Sequence, residues 1–343
     1  MNIIYVSLFL VISSIFLNRF LISANFFLDN SLDKKQAVHI RIIPRSGGLV
    51  LFFTLFIMIV YNYFVYNFVY FDYLPILFGV FLIGLIDDYG IKFHALLRFI
   101  FLFIVCLAYF YFFNVSLRTT GIGVLDNLIQ NYDIDFLIIA ICFLILINGS
   151  NFIDGVNVNL SFHYISILVI LFYLTHETKN LGINTLILSG ILTFVVFTFY
   201  NMKNKIFFGD GGAYLAGTSL GLFMVEILNQ NSFISPFFFL IITVYIGSEV
   251  LISFIRRIFT KNNVTVADFN HLHSCLFKIY KNTTNLNTHV CTSLTINLAY
   301  LILVFPTFFF KNDLELTRNY LIFLYLLYGL FYILIKKISY KFK

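Results

Sequence analysis

The chain has 343 residues, of which 60% are hydrophobic and 11% are charged, whereas a soluble domain is roughly one quarter charged. This composition excludes an ordinary soluble protein. The formal net charge is +6, but the basic residues flank apolar runs, so they indicate membrane orientation instead of nucleic-acid binding. The apolar runs reach the roughly 20 residues that cross a bilayer as a helix. We therefore predict an all-α polytopic integral membrane protein.

Polar breaks divide the chain into eleven apolar runs, with ten as the alternative count, inside a single membrane domain over residues 1–343. In chain order the predicted spans cover residues 2–27, 47–71, 73–86, 95–113, 134–147, 160–174, 182–200, 212–228, 236–255, 290–309 and 318–335. The runs that begin at residues 73 and 134 are short for a bilayer, so they are the weakest of the eleven predictions.

The distribution of basic residues predicts the orientation of the chain. Eleven spans place 17 Lys and Arg residues on the side of the C-terminus and 4 on the other side, with Arg19 inside the first span. Because basic residues collect in cytoplasmic loops, we expect a cytoplasmic C-terminus and an N-terminus outside. Five polar segments then share the cytoplasmic face, at residues 28–48, 87–94, 148–159, 201–212 and 256–289. Such a convergence predicts one site built between helices.

Acidic residues end one apolar run and begin another. Asp87 and Asp88 follow the run that ends at residue 86, and adjacent carboxylates there suit a bound cation or an acid-base task. A solvated helix end is the alternative. Asp210 lies in a glycine-rich segment before the next run. Glycines let backbone amides approach a phosphate, and a carboxylate can hold Mg²⁺ on phosphate oxygens. A capped turn is the alternative.

Three polar residues with a spacing of three end another run. Asn148, Asn151 and Asp154 share one face if this segment is helical, so they can bind one ligand or ion. Hydrogen bonding between helices is the alternative.

Two further segments carry groups that suit anions. The first loop combines His39, Arg45 and a glycine pair, and the longest cytoplasmic loop contains His271 and His273. The alternatives are a basic membrane anchor for the first segment and solvated histidines for the second.

Taken together and in this order, the five segments resemble the polyprenyl-phosphate N-acetylhexosamine-1-phosphate transferases of glycosyltransferase family 4. The resemblance covers residues 29–273 and rests on five motifs, which read HIRIIPRSGG from His39, DD from Asp87, NGSNFIDG from Asn148, FFGDGGA from Phe207 and HLHS from His271. It implies a catalytic membrane domain that transfers a sugar 1-phosphate from a UDP-sugar to undecaprenyl phosphate. The products are UMP and an undecaprenyl-diphosphate-sugar, which initiates synthesis of a cell-surface polysaccharide such as lipopolysaccharide or another cell-wall polymer.

The resemblance also implies roles for the site residues. Asp87 and Asp88 match the catalytic acidic pair, and Asp154, His271 and His273 match further catalytic positions. Asp210, helped by Asn151, matches the Mg²⁺ site, with Mn²⁺ as the alternative ion. The substrate contacts implied by the resemblance are His39, Arg45, Asn148, Asn151 and Phe207, of which Phe207 stacks on uracil.

The implied partners are a UDP-N-acetylhexosamine, undecaprenyl phosphate and membrane lipid, with no nucleic acid and with a homodimer as one open assembly. The implied location is the bacterial plasma membrane, with the site on the cytoplasmic face. The proline five residues after His39 favours the branch that acts on simple N-acetylated hexosamines. The alternatives are the phospho-muramoyl-pentapeptide transferases of peptidoglycan synthesis, a membrane transporter, and an inactive relative. Gln36, Asn157, Ala213 and Ser274 depart from the family pattern and motivate the last alternative.

Overall fold

A computed structural model describes residues 3–24, 43–91, 94–132, 134–177, 180–260 and 270–342. Over these residues the fold is all-α, as predicted, with one 3-10 helix at Phe305–Phe309 and no β-strand. The α-helices in chain order are α1 Ile3–Ala24, α2 Gly47–Tyr66, α3 Tyr73–Asp88, α4 Ala95–Phe112, α5 Gly123–Tyr132, α6 Asp135–Ile153, α7 Asn159–Glu177, α8 Leu181–Met202, α9 Gly209–Gln230, α10 Pro236–Ile242, α11 Val244–Thr260, α12 Leu272–Thr283, α13 Thr288–Val304 and α14 Leu314–Ser339.

Each of the eleven predicted spans overlaps at least one of these helices. Within the described residues, 8 helical stretches are long and apolar enough to cross a membrane, or 9 if α10 and α11 form one broken span. These two helices are bent by 75° relative to each other. The apolar helix α3 has 16 residues, and the apolar part of α7 ends at Thr175. The protein is therefore a multi-pass membrane protein, and the count of eleven spans stays a prediction.

Polar residues between the apolar runs begin several of the helices. The first N–H groups of a helix have no partner inside it, so a side-chain oxygen at the preceding residue stabilises the end. The residues that accept such bonds are Asn180 for α8, Ser235 for α10, Asn287 for α13 and Asp313 for α14. The polar breaks in the sequence therefore set where these helices begin.

Helix α9 lies at the centre of the bundle, where it packs against α2, α3 and α6 and is mostly buried. Glycines allow the closest contacts. A Cβ atom added to Gly84 of α3 would lie 2.3 Å from Cα of Gly211, and one added to Gly48 of α2 would lie 2.5 Å from Cα of Gly212. Small residues let helix backbones approach closely inside a membrane. The first turn of α9 is thereby fixed against two neighbouring helices.

Helix ends collect on two faces of the bundle. On one of them, which we call the site face, α2, α4 and α9 begin and α3, α6 and α8 end; Arg98 of α4 meets Asp87 of α3 there. On the opposite face, the Tyr73 hydroxyl at the start of α3 donates to Glu226 near the end of α9 at 3.3 Å. The described parts of the five predicted polar segments lie on the site face. That this face is cytoplasmic stays a prediction.

The close approach of α3 and α9 predicts the effect of one added methyl group. We expect Gly84→Ala to lower the free energy of unfolding by about 1–3 kcal/mol, because the new Cβ meets backbone that cannot turn away. The matched control is Gly329→Ala in α14, where an added Cβ has nothing within 4 Å. Thermal unfolding in detergent measures both variants. Equal midpoints for the two would contradict the packing described here.

Candidate active site

Asp88 joins the end of α3 to the start of α9. It is the last residue of α3 and only 5% exposed, and its two carboxylate oxygens accept the N–H groups of Asp210 and Gly211, each at 2.9 Å. These N–H groups have no partner within α9, and a helix N-terminus attracts negative charge. Gly209 takes φ +81°, and a Cβ on it would lie 2.6 Å from the Asp88 carboxylate. The glycine therefore makes room for the buried acid.

Asp87 and Asp210 lie beside this contact, and both bind the guanidinium group of Arg98. Nη1 of Arg98 lies 2.7 Å from Oδ2 of Asp87 and 2.7 Å from Oδ2 of Asp210. The two carboxylates also contact each other. All three side chains are between 22% and 25% exposed. Unlike Asp88, they are therefore open to a ligand from the site face.

The end of α6 adds amide and carboxyl groups to the cluster. The Asn151 side chain forms a hydrogen bond with Asp210. Asp154 lies directly after α6. It is close enough to Asp210 and Asp88 for their charges to act on its carboxyl group. Burial raises the pKa of Asp154 well above its usual value, and these negative charges act in the same direction. Asn148 instead donates to the Leu144 carbonyl of its own helix at 2.8 Å, so its role as a substrate contact stays a prediction.

The segment before α2 forms one edge of the cluster. The N–H group of Phe207 donates to the Pro44 carbonyl at 2.8 Å, and the Gly47 N–H group donates to the Phe207 carbonyl at 3.0 Å. These backbone bonds hold Arg45, whose Nη1 lies 3.9 Å from Oδ1 of Asp88. Phe207 is half-buried at this edge. His39 lies outside the described residues.

The two histidines of the longest loop lie at the start of α12 and are both buried. Their rings are parallel, with centroids 5.5 Å apart, and the His271 ring also contacts the ring of Phe152 in α6 at 5.1 Å. His273 packs so tightly on Gly155 that a Cβ there would lie 2.1 Å from its Nε2. Burial lowers the pKa of His273 to about 4, so its ring is neutral at pH 7. Contacts with residues 152 and 155 thus bring both histidines to the end of α6.

Residues 70–228 match the sequence model of glycosyl transferase family 4. Over that region the chain is similar to this family. The match supports a transferase, and the matched family implies a polyprenyl phosphate lipid as acceptor and a nucleotide sugar as donor. No curated protein matches the chain. The matched region contains the acidic residues of the cluster described above, whereas Arg45, His271 and His273 lie outside it.

The charges of this candidate site do not balance among the described residues. Asp87, Asp88, Asp154 and Asp210 carry four carboxyl groups, and the two guanidinium groups nearest to them belong to Arg45 and Arg98. Within the described ranges, no group of three or more His, Cys, Asp and Glu side chains is arranged to hold a metal ion. Mg²⁺ nevertheless needs only one or two carboxylates when substrate phosphates and water supply its other ligands. The hard oxygen donors of Asp210 and Asn151, together with the excess of negative charge, fit that requirement.

Arg98 contacts two carboxylates of the candidate site but belongs to none of the sequence motifs. It lies in the first turn of α4, where the helix dipole disfavours a cation. An arginine in that position, near the start of an otherwise apolar run, indicates a carboxylate partner. The sequence could not name the partners because they come from α3 and α9.

Removing Arg98 should leave two neighbouring carboxylates without their shared cation. We expect Arg98→Met to lower the free energy of unfolding by about 1–3 kcal/mol, measured by thermal unfolding in detergent. The matched control is Arg318→Met, because Arg318 lies 3.8 Å from Glu315 in an exposed pair worth at most about 1 kcal/mol.

A double-mutant cycle separates the charge effect from lost packing. In the Arg98→Met background, Asp210→Asn should recover part of the lost stability, because it removes one of the unpaired charges. Strictly additive costs for the two substitutions would contradict the contact between Arg98 and Asp210.

Proposed function

We propose that the protein transfers an N-acetylhexosamine 1-phosphate from a UDP-sugar to undecaprenyl phosphate, which yields undecaprenyl-diphosphate-sugar and UMP. The observation that carries the proposal is the contact between Asp87 and Asp210, with Asn151 on Asp210, at the ends of three helices on one face. Phosphoryl transfer requires the positioning of two anions and the compensation of their charge more than covalent chemistry by the protein. A cluster of carboxylates, an amide and guanidinium groups supplies those parts.

In the proposed reaction, an oxygen of the acceptor phosphate bonds to the β-phosphorus of the donor. The bond from that phosphorus to the bridging oxygen breaks, and UMP leaves with the bonding electrons. Asp87 takes the proton of the acceptor phosphate, because both oxygens of Asp88 already accept backbone N–H groups. Asp88 instead fixes the geometry of α3 and α9.

Other residues would bind the donor. Asp210 and Asn151 would hold Mg²⁺ or Mn²⁺, which offsets the charge of the donor diphosphate when bound. Arg45 and His271 would donate to phosphate oxygens, and Phe207 would stack on uracil. His39, His273, Asn148 and Asp154 complete the proposed set of substrate contacts and catalytic groups.

The proposed location is the cytoplasmic face of a bacterial plasma membrane. The asymmetric distribution of Lys and Arg supports it, because the basic loops and the site face coincide in the predicted topology. A soluble nucleotide sugar would meet a lipid headgroup there and start the synthesis of a cell-surface polysaccharide.

A transporter would share one feature of this fold, which is the broken pair α10 and α11. The carboxylate in that pair is Glu249, and it binds His271 and Tyr328 instead of facing an open path. This observation favours a transferase, and a transport assay with the same labelled donor would separate the two functions.

The proposal is tested by transfer of label from a panel of UDP-N-acetylhexosamines into a butanol-extractable lipid, using membranes that contain the protein. We expect Asp87→Asn and Asp210→Asn each to reduce transfer roughly 100-fold or more. The matched control is Asp135→Asn at the opposite end of α6, whose carboxylate accepts the Phe136 N–H group at 2.9 Å and lies far from the site face. Full activity of both site variants would overturn the assignment.

The proposed divalent cation has a separate test. Chelation with EDTA should abolish transfer in wild-type membranes, and Mg²⁺ or Mn²⁺ should restore it, because the four carboxylates otherwise repel the donor diphosphate. Transfer that continues unchanged in excess EDTA would contradict a catalytic cation.

A further inference from the structure

Glu249 is a buried carboxylate in α11 that no motif of the sequence contains. It is 2% exposed. Its Oε2 lies 2.6 Å from Nδ1 of His271, and its Oε1 accepts the Leu272 N–H group at 2.9 Å and the Tyr328 hydroxyl at 2.6 Å. A buried charge is costly unless it is fully bonded. These three bonds therefore fix the start of α12 to α11 and α14.

A second contact holds the same short segment from the same two helices. Arg256 lies two turns after Glu249 on α11 and donates to the Asn270 carbonyl at 2.9 Å. Tyr332 lies one turn after Tyr328 on α14 and donates to the same carbonyl at 2.7 Å. Residues 270–272 are thus held at two neighbouring points. A histidine in a solvated loop would not require that residues 270–272 be held by so many contacts.

The contact with Glu249 also determines how the His271 ring is used. A carboxylate at Nδ1 accepts a hydrogen bond from that nitrogen, so Nε2, on the opposite edge of the ring, is the nitrogen that can contact a ligand. Parallel stacking on His273 and a tilted contact with the ring of Phe152 limit rotation of the His271 ring. Phe152 directly follows Asn151, which contacts Asp210. The ring is therefore oriented next to the acidic cluster.

We propose that Glu249 and Tyr328 are positioning residues for His271, so that α11 and α14, beyond the family-matched region, complete the active site. The carboxylate holds the His271 ring in one orientation through its bond to Nδ1, with Nε2 presented to the phosphate groups of the donor. This inference rests on the proposed function for its kinetic consequence, but not for its structural one.

The test combines the kinetics of Glu249→Gln with the ¹⁵N chemical shifts of the His271 imidazole, assigned with His271→Ala. Gln keeps the volume of Glu but removes its charge. We expect a fall in kcat of roughly 10- to 100-fold with KM changed little, and a change in the ¹⁵N shift of Nδ1. Glu249→Asp should recover part of the activity. The matched control Glu226→Gln, near the opposite end of α9 and on the opposite face, should alter neither readout.

Tyr328→Phe provides an independent variant if Glu249→Gln does not fold. It removes one donor from Glu249 and should lower kcat by about 10-fold, whereas Tyr320→Phe in the same helix, which loses a bond to the Leu303 carbonyl, should not. Unchanged kcat and unchanged imidazole shifts in folded Glu249→Gln, or in Tyr328→Phe if the former does not fold, would overturn the positioning role. If no donor gives transfer even with wild type, the proposed function fails, and the ¹⁵N shifts still decide whether Glu249 orients His271.

Discussion

The carboxylate of Asp88 accepts two N–H groups from the first turn of α9, and this contact fixes the end of one helix against the start of another. Glycines at positions 84, 209 and 211 allow the approach, since a side chain at any of them would collide with a neighbour or crowd it. Inside a membrane the hydrophobic effect does not drive helices together. Close packing and buried hydrogen bonds of this kind therefore contribute much of the stability of the helix bundle.

The same contact determines the chemistry of the site. Because both oxygens of Asp88 accept backbone N–H groups, Asp87 and Asp210 remain as a pair of carboxylates that share Arg98. Asp154 adds a fourth carboxyl group, and its raised pKa reflects the free-energy cost of burying acids close together. Carboxylates that are merely structural would be better separated. Their concentration at helix ends is understandable if a cation and phosphate groups occupy the same space during a reaction.

The sequence predicted the helices and most of the acidic cluster, because apolar run lengths and motif spacing depend on local residues. It could not predict that both oxygens of Asp88 accept backbone N–H groups while Asp87 is partly exposed, since both end the same helix. Arg98 and Glu249 were missed as site residues because each belongs to an otherwise apolar run, and only the fold shows which neighbour it faces. The amphipathic helix α5 was missed because it is short and lies between two predicted spans.

The central claim is that a sugar leaves its donor together with a phosphate, at the site formed by α3, α6 and α9. The most direct test uses a UDP-N-acetylhexosamine that carries ³H in the sugar and ³²P in the β-phosphate, with undecaprenyl phosphate as acceptor. The account predicts that both labels enter the lipid in equal molar amounts while unlabelled UMP is released. Transfer of ³H without ³²P would show ordinary glycosyl transfer with release of UDP and would contradict the account.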